Sequence, residues 1–569
     1  MRASTLTRSP AWAPWAVSTA AALLVLAPAL VPGALLHHDL VAAGPMPDLA
    51  RLLGSAPELP RAVPSDLLLA ALGAVVTVPV AIRLVLLLTL VLAGVGAARL
   101  LPLGPWGASA AALAYLWAPW VGERLAIGQW AVLVGYAALP WAVRGSVEVA
   151  RRRPGARALA GGLVGAACGG ASAWLLVVLG AGTAFLVAWV RAGRSRGSGR
   201  AGLGAGVLAL ALALPWLVPT LRSPSAGSSD AQAGAVFRPG ADTVLGTPLS
   251  VLTGGGLWNE LAHVPGRAGL VGSLGALLLT GLGIAGAWTA RRRTGMQPVL
   301  PPLVAAALVG LALALLPLLP GAPRVLGTLP GGGLLRDGSR QSAAWVLLPA
   351  VGLGVVVEHV AAARMRLAAG LLALLPVAVL PGLACGVGGS LRPTTVPADL
   401  QHAVARTGRD AVVVLPFEAY RSYPWNRATP ALDPVPRLAR GPVVVNDDLL
   451  VVRDGVRHRV EGESLAAAQV QAALAAPDPT PRLAALGVRW VLVDVPGAPV
   501  PRGLTLTESG RHVRLFEVPG AAAQVPSAWR PGVLPLAAAD VAALLAAALA
   551  LVLARRHDRR AAPRRHEPN

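Results

Sequence analysis

The chain has 569 residues, of which 55% are hydrophobic and 13% charged, with a mean hydropathy of +0.62. That charged share is about half the usual one, which excludes an ordinary soluble enzyme and indicates a polytopic membrane protein. The net charge of +22 and isoelectric point of ≈ 11.6 do not point to nucleic acid, because the arginines fall in short runs between apolar spans, the positive-inside pattern.

Spans of roughly 17 to 25 apolar residues, with arginine clusters on the inner side, predict an α-helical protein of about twelve crossings with both termini cytoplasmic. The first span, 11–36, follows Arg2 and Arg8. Its apolar run exceeds a signal-peptide core, so it reads as an uncleaved helix. Residues 67–82 are apolar but interrupted by Pro79 and read as an interfacial or re-entrant helix, so the second span is placed at 84–98. Spans at 106–117 and 132–143 follow, and the long run 159–190 divides at Gly169-Gly170. Further spans are read at 203–218, 270–289, 299–319, 343–362, 367–387 and 533–553.

This path gives a membrane domain over 1–388 with external loops at 37–66, 118–131, 222–267 and 320–342. Residues 389–530 differ in composition. They alternate β-rich runs (AVVVLP, GPVVVN, VRWVLVDV, HVRLFEV) with helix-like ones (PADLQHAVART, ESLAAAQVQAALAA) and read as a small external α/β domain. Within it, RGLTLTE and RHVRLFEVP form a hairpin around Ser509-Gly510. A final helix, 531–555, and a basic cytoplasmic tail, 556–569, complete the chain. Cys168 and Cys385 have no neighbours at metal-ligand spacing and read as packing residues.

Chemistry is sought in the external loops, because an acid where a membrane helix meets water can face a soluble or lipid-borne substrate. The first loop carries His37-His38-Asp39, Asp48 and Ser65-Asp66. Asp39 is either a solvated span-end acid or a reacting group. Ser65-Asp66 also suits the start of the next helix. His-His-Asp lacks a spaced third ligand, so no metal site is assigned and a divalent cation is left open.

The second loop places Glu123, Arg124 and Gln129 between Trp120 and Trp130, which reads as interface-anchoring tryptophans around an ion pair or as a substrate site. The third, Gly331-Gly332-Gly333-Leu334-Leu335-Arg336-Asp337-Gly338-Ser339-Arg340, joins close-approach glycines to two guanidinium groups able to clamp phosphate. In the external domain, Tyr420, Trp425 and Asn426 lie in the densest aromatic and polar patch, suited to sugar rings or to ordinary loop packing. No nucleophile elbow, P-loop or zinc-protease signature occurs.

The acid after the first span, APWVGERLAIGQWAVLVGYAALPW, GGGLLRDGSRQSAAW and VVVLPFEAYRSYPWN together resemble the GT-C glycosyltransferases, including the YfhO-like branch. The resemblance implies transfer of a sugar from a polyprenyl-phosphate donor to a cell-envelope glycan or lipid acceptor at the outer face, in contact with membrane lipids. Asp39 takes the position of the base, and Arg336 and Arg340, with Arg124, that of the donor-phosphate site. His38, Asp66, Glu123, Gln129, Asp337, Tyr420, Trp425 and Asn426 are the remaining substrate-binding candidates. A lipid-linked substrate transporter and a non-catalytic envelope assembly protein are the alternatives.

Overall fold

The segment after the first helix does not leave as an open loop; it folds back as a β-hairpin against the helix ends. It was resolved in a computed structural model that describes residues 12–56, 62–222, 233–328, 332–453, 456–495, 497–522, 524–526, 529 and 532–561. Arg2, Arg8, Gly331 and residues 562–569 of the basic tail lie outside the described residues.

Among the described residues, seven helices are long and apolar enough to cross a bilayer, or nine if each of two bent pairs is one span. The sequence reading expects more because it counts every apolar run. Pro105–Leu116 has 12 residues, about 18 Å of helix at 1.5 Å per residue, and it turns at Trp117-Ala118 into the short helix Pro119–Ala126. The break at Gly169-Gly170 is present: one helix ends at Cys168 and the next begins at Gly170.

The boundary of the second long helix is corrected. It runs Val78–Ala98, and Ser65–Gly73 is a separate short helix. Pro79 lies in the first turn, where its missing N–H costs nothing. Arg83 is accommodated inside the helix because it donates to the carbonyls of Ala29, Val31 and Gly33 at 2.6–2.8 Å, so its charge is satisfied where the first helix ends.

Close helix crossings rest on small residues. A Cβ on Gly352 would run into the carbonyl of Gly283, so the Leu270–Ala290 and Ala343–Ala362 helices meet backbone to backbone.

Beyond Gly389 the described residues form an α/β unit. Its five-stranded sheet has the order β11-β12-β10-β4-β7 (β4 Ala411–Leu415, β7 Val443–Val444, β10 Val488–Val493, β11 Thr505–Ser509, β12 Arg514–Glu517). β4 is parallel to both β7 and β10. All five β4 residues, AVVVL, are buried, as a central parallel strand covered on both faces requires. Val412 and Val414 pack into one layer with the Ala398–Arg406 helix, while Val413 and Leu415 face the other, with the Leu465–Leu474 and Pro479–Ala485 helices. The expected hairpin is β11 with β12, paired from Thr505↔Glu517 to Ser509↔Arg514.

Candidate active site

The first hairpin links the two halves. β1 (Ala34–His37) pairs with β2 (Leu40–Ala42), His37 opposite Leu40, leaving His38-Asp39 as the two-residue turn. β1 also pairs with β3 (Pro393–Thr394), where the α/β unit begins. His38 adopts the left-handed conformation, φ 48°. Its N–H donates to Pro430 O at 2.7 Å and its carbonyl accepts from Leu432 N at 2.9 Å, so the turn is stitched to β6 (Pro430–Leu432). His38 therefore acts here through its backbone.

Asp39 is half-buried. Its N–H donates to Ile127 O at 3.1 Å. One carboxylate oxygen accepts from the Tyr420 hydroxyl, and the other from Gln129 Nε2 at 3.4 Å. Tyr420 opens β5 (Tyr420–Ser422) of the α/β unit, whereas Gln129 precedes the Trp130–Ala150 helix of the bundle. The carboxylate thus sits at a seam between the two.

From Gln129 the network runs inward. Arg124, fully buried, donates to Gln129 Oε1 at 2.8 Å, to Asp337 Oδ2 at 3.0 Å and to Ser339 Oγ at 2.6 Å. Arg340 pairs with Asp337 at 3.0 Å and donates to Ser172 Oγ at 2.7 Å, with its side chain still 21% exposed. Burial pushes the Asp337 carboxyl up, but the Arg124 and Arg340 guanidiniums outweigh it and hold it below the usual range. Asp337 stays ionised and orients both arginines. Trp120 completes this wall: it stacks on Tyr136 at 4.6 Å, donates to Ser339 O and lies under Arg124. Trp120 and Trp130 are 1% and 5% exposed, so they are core residues of the site wall and not interface anchors.

Glu123 points elsewhere. It accepts from the N–H groups of Gly256 and Leu257 at 3.1 and 3.3 Å. Burial and the neighbouring Asp242 carboxylate push it well above the ordinary range, while Asp242 is held ionised by Arg267, its ion-pair partner. Glu123 clamps the 240–267 loop onto the Pro119–Ala126 helix, and Arg124 beside it faces the Asp39 network. Arg336 also turns away, toward Glu463 at 3.6 Å and over the Phe237 ring. Asp66 does not cap its helix: it pairs with Arg437 at 3.0 Å, a further tie between the bundle and the α/β unit.

In the α/β unit, Trp425 stacks on Tyr423 at 4.6 Å. The side chain of Asn426 is enclosed and donates to the carbonyls of Leu36 and Thr429, which makes it a strut of the hairpin. Sequence reasoning missed the group beneath Tyr420. Arg421 lies buried between Asp433 at 3.2 Å and Asp494 at 3.0 Å, and Tyr423 donates to Asp494 at 2.7 Å. Burial raises the Asp494 carboxyl to about 7 against the pull of Arg421. The available signal was an acid directly after a β-rich run, the end of a parallel strand where α/β sheets place polar sites. Ser172 and Ser339 were missed because lone serines carry no such signal.

His37 is buried beside His38, 4.9 Å between ring centroids, and burial lowers it to about 4, so it is neutral. Among the described residues no three His, Cys, Asp or Glu groups converge in a way that could hold a metal ion.

No family model matches the chain, and no curated protein matches it. Solved structures do. It is similar to the arabinofuranosyltransferase AftD from Mycobacteria, with a TM-score of 0.59 and 17% identity over 91% of this chain and 40% of that one. A second structure of that enzyme, a mutant, aligns with a TM-score of 0.50 at 17% identity over 91% and 42%. ArnT from Cupriavidus metallidurans bound to undecaprenyl phosphate aligns over 90% of this chain and 98% of its own, with a TM-score of 0.40 and 14% identity. The chain spans about 40% of the length of AftD. At the level of fold, this is a polytopic helical membrane protein that shares the architecture of AftD and carries a small sheet-containing unit near its C-terminus.

Proposed function

We propose that the chain transfers a sugar from a polyprenyl-phosphate donor to a cell-envelope glycan or lipid acceptor at the outer face of the membrane. The supporting observation is the half-buried Asp39 carboxylate, fixed by Tyr420 and Gln129 and joined through Arg124 and Asp337 to Arg340, whose side chain is one-fifth exposed.

Asp39 takes the proton of the acceptor hydroxyl as that oxygen bonds to the anomeric carbon of the sugar. The bond from that carbon to the phosphate oxygen breaks, and the polyprenyl phosphate leaves with the electron pair. Its developing charge is met by Arg340, a guanidinium oriented before the substrate arrives. Arg124, with no exposed surface, is a positioning residue that aligns Gln129, Asp337 and Ser339. Glu123 and Asn426 have structural roles in this reading, and Arg336, Asp66 and Trp425 stand at its margin.

The test is complementation of a deletion strain, scored on envelope glycan, with Asp39→Asn and Arg340→Ala proteins whose membrane insertion is verified by blotting. The expected result is loss of the glycan with both. Full complementation by either inserted protein would sink the mechanism.

A further inference from the structure

The Val78–Ala98 helix begins beside the site, where Arg83 holds the carbonyl of Gly33, and ends at Arg99. Its 21 residues span about 30 Å, so whatever lies around Arg99 is at the far end of the bundle. A pocket of ≈ 380 Å³ opens there, lined by Pro14, Arg99, Arg144, Glu148, Arg151 and Arg153 among others. That is the size of a small-ligand site.

Its charge is one-sided, with four guanidinium groups against the single Glu148 carboxylate. Among the described residues none of the four arginines forms an ion pair, Glu148 included. The arrangement is also held in place. Arg99 lies between the Trp15 and Trp141 rings, 5.6 and 5.5 Å from their centroids, and Arg144 donates to the carbonyl of Arg99. Trp141 in turn donates to Leu92 O at 3.1 Å. Inner-side arginines satisfy the topology rule wherever they stand. Convergence on one concavity, aromatic bracketing and the lack of acid partners are not required by that rule.

We propose that this pocket binds a phosphate-bearing anion, separate from the candidate active site. Several arginines around one concavity, with apolar helix ends beside them, suit the head group of an anionic phospholipid as well as a soluble phosphate or diphosphate. The two sources share the same chemistry and differ in whether an acyl chain is needed.

The experiment uses the full chain purified in neutral detergent. Melting temperature and retained ligand by native mass spectrometry are followed on adding phosphatidylglycerol, phosphatidylcholine or inorganic pyrophosphate. The expected result is a melting shift and retained ligand with phosphatidylglycerol or with pyrophosphate and none with phosphatidylcholine. Phosphatidylglycerol alone identifies a lipid head group; pyrophosphate alone or equally identifies a soluble anion.

The Arg144→Gln, Arg151→Gln, Arg153→Gln protein should bind on the order of a hundredfold more weakly. A control with Arg194→Gln, Arg196→Gln and Arg200→Gln, which removes the same charge outside the pocket, should bind as the parent does. Arg153→Gln alone, at an exposed side chain, serves if the triple variant is not monodisperse, with a weaker loss in the same direction. Equal binding of phosphatidylcholine, unchanged binding by the pocket variants, or equal loss in the control would each overturn the proposal.

Discussion

Asp39 receives two hydrogen bonds from opposite sides, and the two donors come from different halves of the chain. The Tyr420 hydroxyl fixes the rotamer of the carboxylate, and a hydrogen bond to a charged group contributes about 1.5–3 kcal/mol. Tyr420→Phe keeps the ring and removes only that donor. The expected outcome is a fall in transfer rate of roughly ten- to a hundredfold, read by assay with a polyprenyl-phosphate sugar, with a melting temperature lowered by no more than a few degrees. A rate equal to the parent's would remove Tyr420 from the site.

The group under Tyr420 has its own signature. Asp494 has its carboxyl raised from an ordinary 3.8 to about 7, so between those values the folded chain holds a proton that the unfolded chain has released. Its contribution to stability is full below about pH 4 and is lost as pH rises through about 7. Asp494→Asn cannot titrate, so its melting temperature should change less between pH 5 and pH 8 than the parent's. Identical slopes would contradict the assignment.

At the scale of elements, the position of Asp39 depends on a turn meeting a turn. Gly128 has φ +77°, and a Cβ there would meet the backbone of His37 and Leu40 and lie 2.9 Å from Asp39 N. Gly128→Ala therefore strains its own backbone and pushes the hairpin outward. The expected result is an inserted protein with little transfer activity and a melting temperature lowered by a few degrees, since a strained residue costs about 1–3 kcal/mol. Wild-type activity in this variant would mean that the hairpin position is not critical.

The same meeting explains what the sequence could and could not tell. Asp39, Arg124, Gln129, Asp337 and Arg340 were legible because polar residues beside apolar spans are costly and therefore conspicuous. The opposite orientations of Glu123 and Arg124 were not, because adjacent helix residues look alike until the loops packed around them are known. The run AVVVL was legible as β-rich, but that it is a central parallel strand buried on both faces follows from its pairing with β7 and β10. The pairing of β1 with β3 did not announce itself, because it joins residues from either end of the membrane domain and short strands carry little periodicity. The extent of the second long helix was misjudged for a local reason: Pro79 and Arg83 look like interruptions, yet one fits a first turn and the other finds three carbonyls.

For the molecule as a whole, the question is whether the α/β unit is a fixed wall of the site or a body that must swing away for turnover. Among the described residues its ties to the bundle include β1 with β3, the His38 backbone with β6, Asp66 with Arg437, Arg336 with Glu463, and Arg453 with the carbonyls of Val236, Arg238 and Pro239. The first three join the hairpin or the helix after it, so the unit cannot leave without disturbing Asp39. A covalent tie tests this. Ala34 and Thr394 are directly opposed in the β1–β3 pair and both are buried. Opposed residues of antiparallel strands have Cα atoms about 4.5–5.5 Å apart, within the range that a disulfide spans. In a chain with Cys168→Ala and Cys385→Ala, the pair Ala34→Cys and Thr394→Cys should oxidise, and the cross-linked protein should transfer sugar at the rate of its reduced form. Activity that disappears on oxidation and returns on reduction would show that the seam opens during each cycle, and Tyr420 would then belong to only one of its states.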